Sequence, residues 1–304
     1  MKSIIIDPYY TLIIATLVLL VGRLLVTKIK ILRDFNIPEP VAGGLLAAVI
    51  IYLLYIKYEI SLDFNTNLQD AFMLFFFSSI GLSADFSRLK AGGKGLIIFL
   101  GVVALFIVVQ NSVGVGLASA LGQKPIMGLI TGSITLTGGH GTAGAWGKIL
   151  ETKYNIEGAT SLGMASATFG LILGGLIGGP VARKLVNNLG RKPVEKQNDN
   201  TVDAVVEVFE NAGKQRLITS KSAIETMALF AACLSFSAIM VSPTVTAWLP
   251  EKLTIPQFVW ALFFGVFLRN ILTNAFKVNM FDRAIDVFGN ASLSLFLGIA
   301  LLNL

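Results

Sequence analysis

The sequence predicts an all-α polytopic membrane protein, and three observations support this fold class. Hydrophobic residues make up 54% of the 304 residues, charged residues make up only 14%, and the mean hydropathy is +0.75. The apolar residues form runs of roughly 17 to 27 residues, the length that a helix needs to cross the hydrocarbon core. These runs are continuous, whereas a membrane β-barrel alternates apolar and polar residues over segments of about ten residues. Helices are therefore expected to cross a lipid bilayer.

Eight apolar runs are long enough to be membrane spans. They lie near 9–27, 40–56, 68–85, 96–121, 159–186, 222–248, 255–272 and 286–304. A polar stretch at 187–220 lacks apolar periodicity until its end and reads as a cytoplasmic linker. The chain is therefore divided into a first half of five spans (1–186), the linker (187–220) and a partial second half of three spans (221–304).

The distribution of Lys and Arg predicts the orientation of the spans. Basic residues collect after spans one, three and five and around the exit of span seven, and loops rich in Lys and Arg stay in the cytoplasm. This placement explains the net charge of +6 without nucleic-acid binding, since no basic stripe with stacking aromatics accompanies it. The alternation holds only if one further apolar stretch, 125–145, enters and leaves on the outer side. We expect a re-entrant hairpin there and an N-terminus outside.

Two short motifs suggest an internal repeat. Ile37-Pro38 before span two recurs as Ile255-Pro256 before span seven, at an offset of 218, and Ile80-Gly81-Leu82 recurs as Leu297-Gly298-Ile299, at an offset of 217. Because five spans precede the linker, the second copy is inverted relative to the first, which is typical of secondary transporters. The counterpart of the hairpin projects beyond Leu304, so the second repeat is expected to be incomplete.

The segment Gly132 to Lys148, GSITLTGGHGTAGAWGK, is the most polar stretch at membrane depth. Glycines permit an unwound backbone, and the helix ends that flank such a break direct their dipoles at carboxylates and at Na⁺. The candidate residues for binding substrate or Na⁺ are Thr135, Thr137, Gly138, Gly139, His140, Gly141 and Thr142. Close helix packing is the alternative, and it suits Gly174, Gly175, Gly178 and Gly179 better. His140 is equally compatible with a helix cap, and no proton transfer is assigned to it.

Span three supplies further candidates because it is short. Fourteen residues separate Asp70 from Asp85, and short spans in matching halves of a repeat point toward a binding site. The additional candidates are Ser78, Ser79, Thr168, Ser292 and Ser294. Gln110, Asn111 and Thr168 either approach the hairpin or form hydrogen bonds between helices. Asp70 and Asp85 alternatively lie at the membrane interface.

Enzyme chemistry is not indicated by the sequence. Cys233 is the single cysteine, which excludes an intramolecular disulfide and a thiolate metal site. The sequence contains no HExxH zinc helix, no GxSxG elbow and no Walker loop. A transporter without a cofactor, with Na⁺ as a coupling ion, is therefore expected.

Five segments together resemble one family. They are IPEPVAGGLL (37–46), FFFSSIGLSA (75–84), GSITLTGGHGT (132–142), ATFGLILGGLIGGPVA (167–182) and GNASLSLFLGIAL (289–301). In this order they look like the bacterial sodium/glutamate symporter family, whose hairpin motif falls on 137–142. The resemblance implies ten spans, two re-entrant hairpins of opposite direction, and a homodimer at the bacterial inner membrane. It also implies Na⁺-coupled uptake of L-glutamate by alternating access with an elevator-like step.

The chain departs from that family at its end. Family members continue through further spans and a second hairpin, so a C-terminally truncated chain is expected. Two alternatives remain open: a Na⁺-coupled carrier of hydroxycarboxylates such as citrate or malate, and a half-carrier that does not transport. The Na⁺ stoichiometry is also open.

Overall fold

The computed structural model describes residues 2–34, 37–188, 218–248 and 255–303. The linker expected at 187–220 lies outside the described residues except at its two ends. In chain order the α-helices are α1 (Pro8–Lys28), α2 (Lys30–Asp34), α3 (Glu39–Tyr58), α4 (Thr66–Ser83), α5 (Phe86–Ala91), α6 (Gly93–Ala120), α7 (Pro125–Leu129), α8 (Gly139–Tyr154), α9 (Ala159–Asn188), α10 (Ser220–Met240), α11 (Pro243–Thr246), α12 (Gln257–Asn270) and α13 (Asp282–Leu302). Two π-helical turns, Ile130–Ile134 and Ile271–Ala275, follow α7 and α12. The predicted all-α polytopic class is confirmed.

Each of the eight predicted spans overlaps a helix. Within the described ranges, seven helices are long and apolar enough to cross a membrane. The exception is α4, the predicted third span, which has 18 residues and carries Gln69 and Asp70 inside its first turns. It packs between α12 and α13, and a helix enclosed by other helices needs a less apolar surface than one that faces lipid.

The ends of the elements correct three expectations. The sixth span was expected to reach 248, but α10 ends at Met240 because Pro243 starts a separate short helix. The hairpin was expected to end at 145, but its second arm continues to Tyr154. Two short strands, β1 (Lys2–Ile5) and β2 (Ile60–Asp63), were not expected, and they pair in parallel.

Side chains cap the starts of α1, α4 and α10. The Asp7 carboxylate accepts hydrogen bonds from the Tyr9 and Tyr10 amides at the start of α1. Asn65 caps α4 through the Leu68 amide, and Thr219 forms a capping box at α10. These polar residues satisfy backbone donors that have no partner within the helix.

The long helices pack in a pattern that repeats. Helix α3 contacts α1 and α13, α12 contacts α10 and α4, and α1 and α10 contact α13 and α4 respectively. Exchanging α1, α3 and α4 with α10, α12 and α13 therefore maps these contacts onto one another. Helices α4 and α13 run antiparallel, since the Phe64 amide bonds to Asn303 Oδ1 at 3.1 Å and Ser83 Oγ bonds to Asp286 Oδ1 at 3.2 Å.

Glycines allow the closest helix contacts. A Cβ atom on Gly81 of α4 would lie 2.1 Å from the Leu262 carbonyl oxygen of α12, and one on Gly43 of α3 would lie 2.1 Å from the Val18 oxygen of α1. Small residues let helices approach in this way in lipid. No described atom lies within 4 Å of a Cβ built on Gly174 or Gly178. The surroundings of Gly175 and Gly179 lie outside the described residues, so close packing of these four glycines stays a prediction.

A buried arginine joins the two halves at one end of the bundle. Arg269 of α12 has a side chain that is only 4% exposed, and it pairs with Asp282 at the start of α13 and with Asp85 after α4. The adjacent Asn270 donates to the Ala84 carbonyl at 2.9 Å. The distribution of basic residues had predicted a cytoplasmic loop rich in Lys and Arg at the exit of span seven. Arg269 instead lies within α12 and stabilises a helix junction.

Hydrogen bonding favours the ionised form of Asp85 at this junction. The backbone amide of Ser87 and the guanidinium of Arg269 hold the pKa of Asp85 below its ordinary value, although burial acts in the opposite direction. The sequence had left open that Asp85 merely lies at the membrane interface. The structure adds a defined partner for its carboxylate, Arg269 of the second half of the chain.

Candidate functional site

The polar segment forms two helical arms joined by a break. The first arm consists of α7 and the π-helical turn, in which Gly132 leaves the helical region with φ of −102° and ψ of −122°. Asn111 of α6 accepts a hydrogen bond from the Ser133 amide at 3.3 Å, and the Thr135 hydroxyl donates to the Ile130 carbonyl at 2.7 Å. Side chains therefore supply partners for backbone groups that the break would otherwise leave unpaired.

The tip of this hairpin contacts the middle of two long helices. Thr137 Oγ1 donates to Gln110 Oε1 of α6 at 2.7 Å, and His140 Nε2 lies 3.0 Å from Thr168 Oγ1 of α9. Gln110 lies ten residues before the end of α6 and Thr168 nine residues after the start of α9. At about 1.5 Å per residue the tip is roughly 15 Å from those ends, which is half of a hydrocarbon core of about 30 Å.

Short turns connect the two arms to the neighbouring long helices, the first arm to the C-terminal end of α6 and the second arm to the N-terminal end of α9. Four residues, 121–124, join α6 to the first arm, and four residues, 155–158, join the second arm to α9. A Cβ on Gly128 would lie 2.2 Å from the Gly114 oxygen, so the first arm touches α6. Ile130 and Leu150, one from each arm, belong to a single buried cluster. The hairpin is therefore a packed unit.

The second arm begins with a helix end that has no cap. Gly138 at the N-cap position has no side chain, and no described residue accepts a hydrogen bond from the amides of Gly139, His140 or Gly141. The nearby Thr142 hydroxyl is engaged with the Ile134 and Gly139 carbonyls. Side chains cap α1, α4 and α10, whereas α3, α6, α12 and α13 also start without a side-chain cap. The start of α8 differs in its position, because it lies in the middle of the bundle and its free amides provide donors for an anion there.

Backbone conformation requires glycine at this end. Gly139 has φ of +77°, a region that L-residues rarely adopt. A Cβ on Gly138 would lie 2.1 Å from Thr142 Oγ1, and one on Gly141 would lie 2.8 Å from Cε1 of Phe76 in α4. The glycines thus permit the turn, the hydrogen bond across the break and the close contact with α4.

The four candidate serines lie on α4 and α13, two helices whose Phe76 and Leu293 approach Gly141 of the second arm. Each hydroxyl donates to a carbonyl of its own helix, and the acceptors are Leu74 for Ser78, Phe76 for Ser79, Phe288 for Ser292 and Asn290 for Ser294. Ser79 lies where α13 packs closely, since a Cβ on Gly289 would be 2.1 Å from its Oγ. Among the described contacts, none joins these hydroxyls to the hairpin.

Two polar contacts of the hairpin were only partly anticipated. Gln110 and Asn111 were left open between hairpin contact and helix pairing, and both bind the hairpin; two adjacent amides inside an apolar run are the signal for this. Lys148 of α8 forms a bidentate ion pair with Asp70 of α4 at 2.6 and 2.7 Å. Asp70 therefore has a partner on the second arm, although both side chains are about one-third exposed.

An open groove of about 720 Å³ runs between α6 and the first arm. Its walls include Phe106, Val113, Leu117 and Leu136, with Gln110 among the few polar contributors. An apolar groove on a helix that is otherwise exposed suits acyl chains better than a charged solute. The uncapped end of α8 is the better candidate for an anionic substrate.

Comparison with known proteins gives a consistent result. The family model for the sodium/glutamate symporter matches residues 4–304. The sodium/glutamate symporter of Haemophilus influenzae is 48% identical over 299 residues, and that of Escherichia coli K12 is 46% identical over 299 residues. Each alignment covers 98% of this chain and 72% of the relative.

No solved structure gives a significant match to this chain. Both relatives are transporters by name, which supports the expectation that the chain is not an enzyme. The seven apolar helices agree with a multi-pass membrane protein. This chain belongs to the sodium/glutamate symporter family.

Proposed function

We propose that the chain is a Na⁺-coupled symporter that carries L-glutamate across the bacterial inner membrane by alternating access. The observation that carries the proposal is the uncapped start of α8, with free amides on Gly139, His140 and Gly141 at half the depth of the bundle. This segment lies within residues 4–304, which the family model matches. Relatives that are nearly half identical to the whole chain are named as sodium/glutamate symporters.

The hairpin supplies groups for both transported species. Amides and the helix dipole at the start of α8 favour a substrate carboxylate. The hydroxyls of Thr137 and Thr142 donate to other acceptors and keep oxygen lone pairs, and carbonyl groups at the end of the first arm add further oxygens. Oxygen ligands of this kind suit Na⁺. Thr135 is 2% exposed and supports the break, so it acts on the site indirectly.

Coupling to Na⁺ has an electrostatic reason. Glutamate carries a net charge of −1, and moving it into a negative-inside cell costs about 2.3 kcal/mol per 100 mV. One Na⁺ cancels this cost and each additional Na⁺ adds a driving force. Coupling to two or more Na⁺ therefore concentrates the substrate.

The direct test is uptake of labelled L-glutamate into proteoliposomes that contain the purified chain. We expect uptake to follow an imposed inward Na⁺ gradient and to disappear when K⁺ replaces Na⁺. Excess citrate is expected to leave the rate unchanged if glutamate is the substrate. Uptake that is indifferent to Na⁺ would contradict the proposal, and inhibition by citrate would favour a hydroxycarboxylate carrier.

We further propose that the hairpin is re-entrant from the outer side, with the N-terminus outside and 187–220 in the cytoplasm. The short turns at 121–124 and 155–158 and the contacts of the tip with Gln110 and Thr168 support this arrangement. Single cysteines at Gln123 and Glu157, in a Cys233→Ala background, are expected to react with an impermeant maleimide from the same, outer side. Labelling of the two positions from opposite sides would contradict it.

The repeated packing pattern supports an inverted repeat whose halves are 1–186 and 221–304. Both halves contribute to one bundle through α4 and α13, and a homodimer of such bundles is the proposed assembly. The mass of the detergent-solubilised protein, corrected for bound detergent, tests the dimer, and a monomer mass at transport-competent concentrations would contradict it.

A further inference from the structure

The hydrogen bonds around His140 define which of its ring nitrogens carries a proton. The Thr168 hydroxyl donates to the Met164 carbonyl of its own helix at 2.9 Å, which uses the only hydrogen that it has. Its oxygen lies 3.0 Å from His140 Nε2. Nε2 must therefore be the donor of that contact, and in the neutral ring Nδ1 is an acceptor.

The acceptor Nδ1 has no partner among the described residues. Nδ1 is bonded to the ring carbon nearest the backbone, so it lies close to the peptide of His140. That peptide belongs to the first turn of α8, where the amides of Gly139, His140 and Gly141 are free. A free acceptor thus accompanies three free donors at one end of the helix.

An α-amino acid matches this combination of donors and acceptor. Its carboxylate and ammonium groups are attached to the same carbon, so a carboxylate held by the first turn of α8 places the ammonium beside the same turn. Within the described ranges, no hydrogen bond or ion pair joins residues 135–142 to an Asp or Glu side chain. An ammonium group is a donor only, so it needs an acceptor, and the unpaired Nδ1 is one.

We infer that His140 Nδ1 accepts a hydrogen bond from the substrate α-ammonium and thereby distinguishes an amino acid from a plain dicarboxylate. Thr168 is a positioning residue, because its oxygen holds the Nε2 proton and keeps Nδ1 unprotonated. The inference rests on the proposed transport of glutamate and names the residue that recognises its amino group.

The test compares L-glutamate with glutarate, which has both carboxylates and no ammonium. The KM for glutamate uptake and the inhibition constant of glutarate are measured for the unchanged chain, His140→Gln and His140→Asn. The side-chain nitrogen of glutamine replaces Nε2 as a donor, but glutamine has no acceptor at the position of Nδ1. The side-chain oxygen of asparagine replaces Nδ1 as an acceptor. His140→Gln is expected to raise the glutamate KM about tenfold or more and to leave glutarate unchanged, and His140→Asn is expected to retain more of the preference.

Thr168 gives an independent arm of the same test. Thr168→Val removes the oxygen that accepts the Nε2 proton, so it is expected to raise the glutamate KM several-fold. Thr168→Ser keeps the hydroxyl and is expected to have the KM of the unchanged chain. Thermal stabilisation by each ligand provides a second readout that does not require transport. The inference would be overturned if His140→Gln raised the glutamate KM and the glutarate inhibition constant by the same factor. It would also be overturned if neither constant changed.

The outcomes also separate this inference from the proposed function. Na⁺-driven glutamate uptake with no change in selectivity in the variants would retain the proposed function and reject the role of His140. Loss of Na⁺-driven uptake and of glutamate binding in the unchanged chain would reject both.

Discussion

Replacing Gly138 by alanine is expected to lower Na⁺-driven glutamate uptake about a hundredfold, the effect of moving a binding group by about 1 Å. The new methyl group would lie 2.1 Å from Thr142 Oγ1 and 2.7 Å from the Ile134 oxygen. These two atoms form the 2.7 Å hydrogen bond that crosses the break. The methyl therefore displaces the bond that positions the free amides of α8, and the initial rate of uptake in proteoliposomes measures the loss.

Gly174→Ala is the matched control for this substitution. It also adds one methyl group to a glycine, but no described atom lies within 4 Å of the new carbon. We expect uptake and thermal unfolding to stay close to those of the unchanged chain. The comparison is made at equal amounts of monodisperse protein, so that misfolding is not counted as lost transport. Full uptake by Gly138→Ala would show that the geometry of the break does not control the site.

Replacing Arg269 by methionine is expected to destabilise the folded chain by about 3 to 5 kcal/mol, the usual effect of removing one partner of a buried ion pair. The arginine side chain is 4% exposed and that of Asp85 is 9% exposed. Asp85 and Asp282 would both lose a cationic partner. Denaturant unfolding in detergent measures the change, and Lys148→Met is the control. The Lys148 pair is 31% and 37% exposed, so that substitution is expected to cost about 1 kcal/mol or less.

The effect of Arg269→Met is expected to depend on pH. In the unchanged chain the pKa of Asp85 is lowered from its ordinary value of 3.8, so the stability that this group contributes is present above that value and is lost as pH falls through the lower, folded-state pKa. In the variant the carboxylate lacks the arginine and protonates more easily. The difference between the two proteins should therefore shrink below about pH 4. An equal cost for Arg269→Met and Lys148→Met at neutral pH would contradict this account.

The positions of the helices follow closely from apolar runs. The first span was expected at 9–27 and is Pro8–Lys28, and the fifth was expected at 159–186 and is Ala159–Asn188. The misplaced end of the sixth span has a specific cause. Apolar residues continue to Trp248, but Pro243 lacks an amide hydrogen and ends the regular hydrogen bonding after Met240.

The candidate site was only partly accessible to sequence reasoning. The dense Thr and Gly residues of 135–142 indicated a break, because this composition disfavours a regular helix in lipid. The π-helical turn, which begins at Ile130, was not indicated, since it depends on Asn111 and on the inward hydroxyl of Thr135. Likewise, Ser78 and Ser292 have the same chemistry as the hairpin hydroxyls, but their bonds go to their own helices.

The local chemistry of the chain was enough to establish the membrane class, the helix positions and the polar hairpin. Run length and residue type act within a few turns, and they are present in the order of the residues. The partners of Arg269 and His140 depended on folding, because Asp85 lies 184 residues from Arg269 and Thr168 lies 28 residues from His140. Hydrogen bonds and ion pairs act over about 3 Å, so which distant groups meet is set by the packing of whole helices.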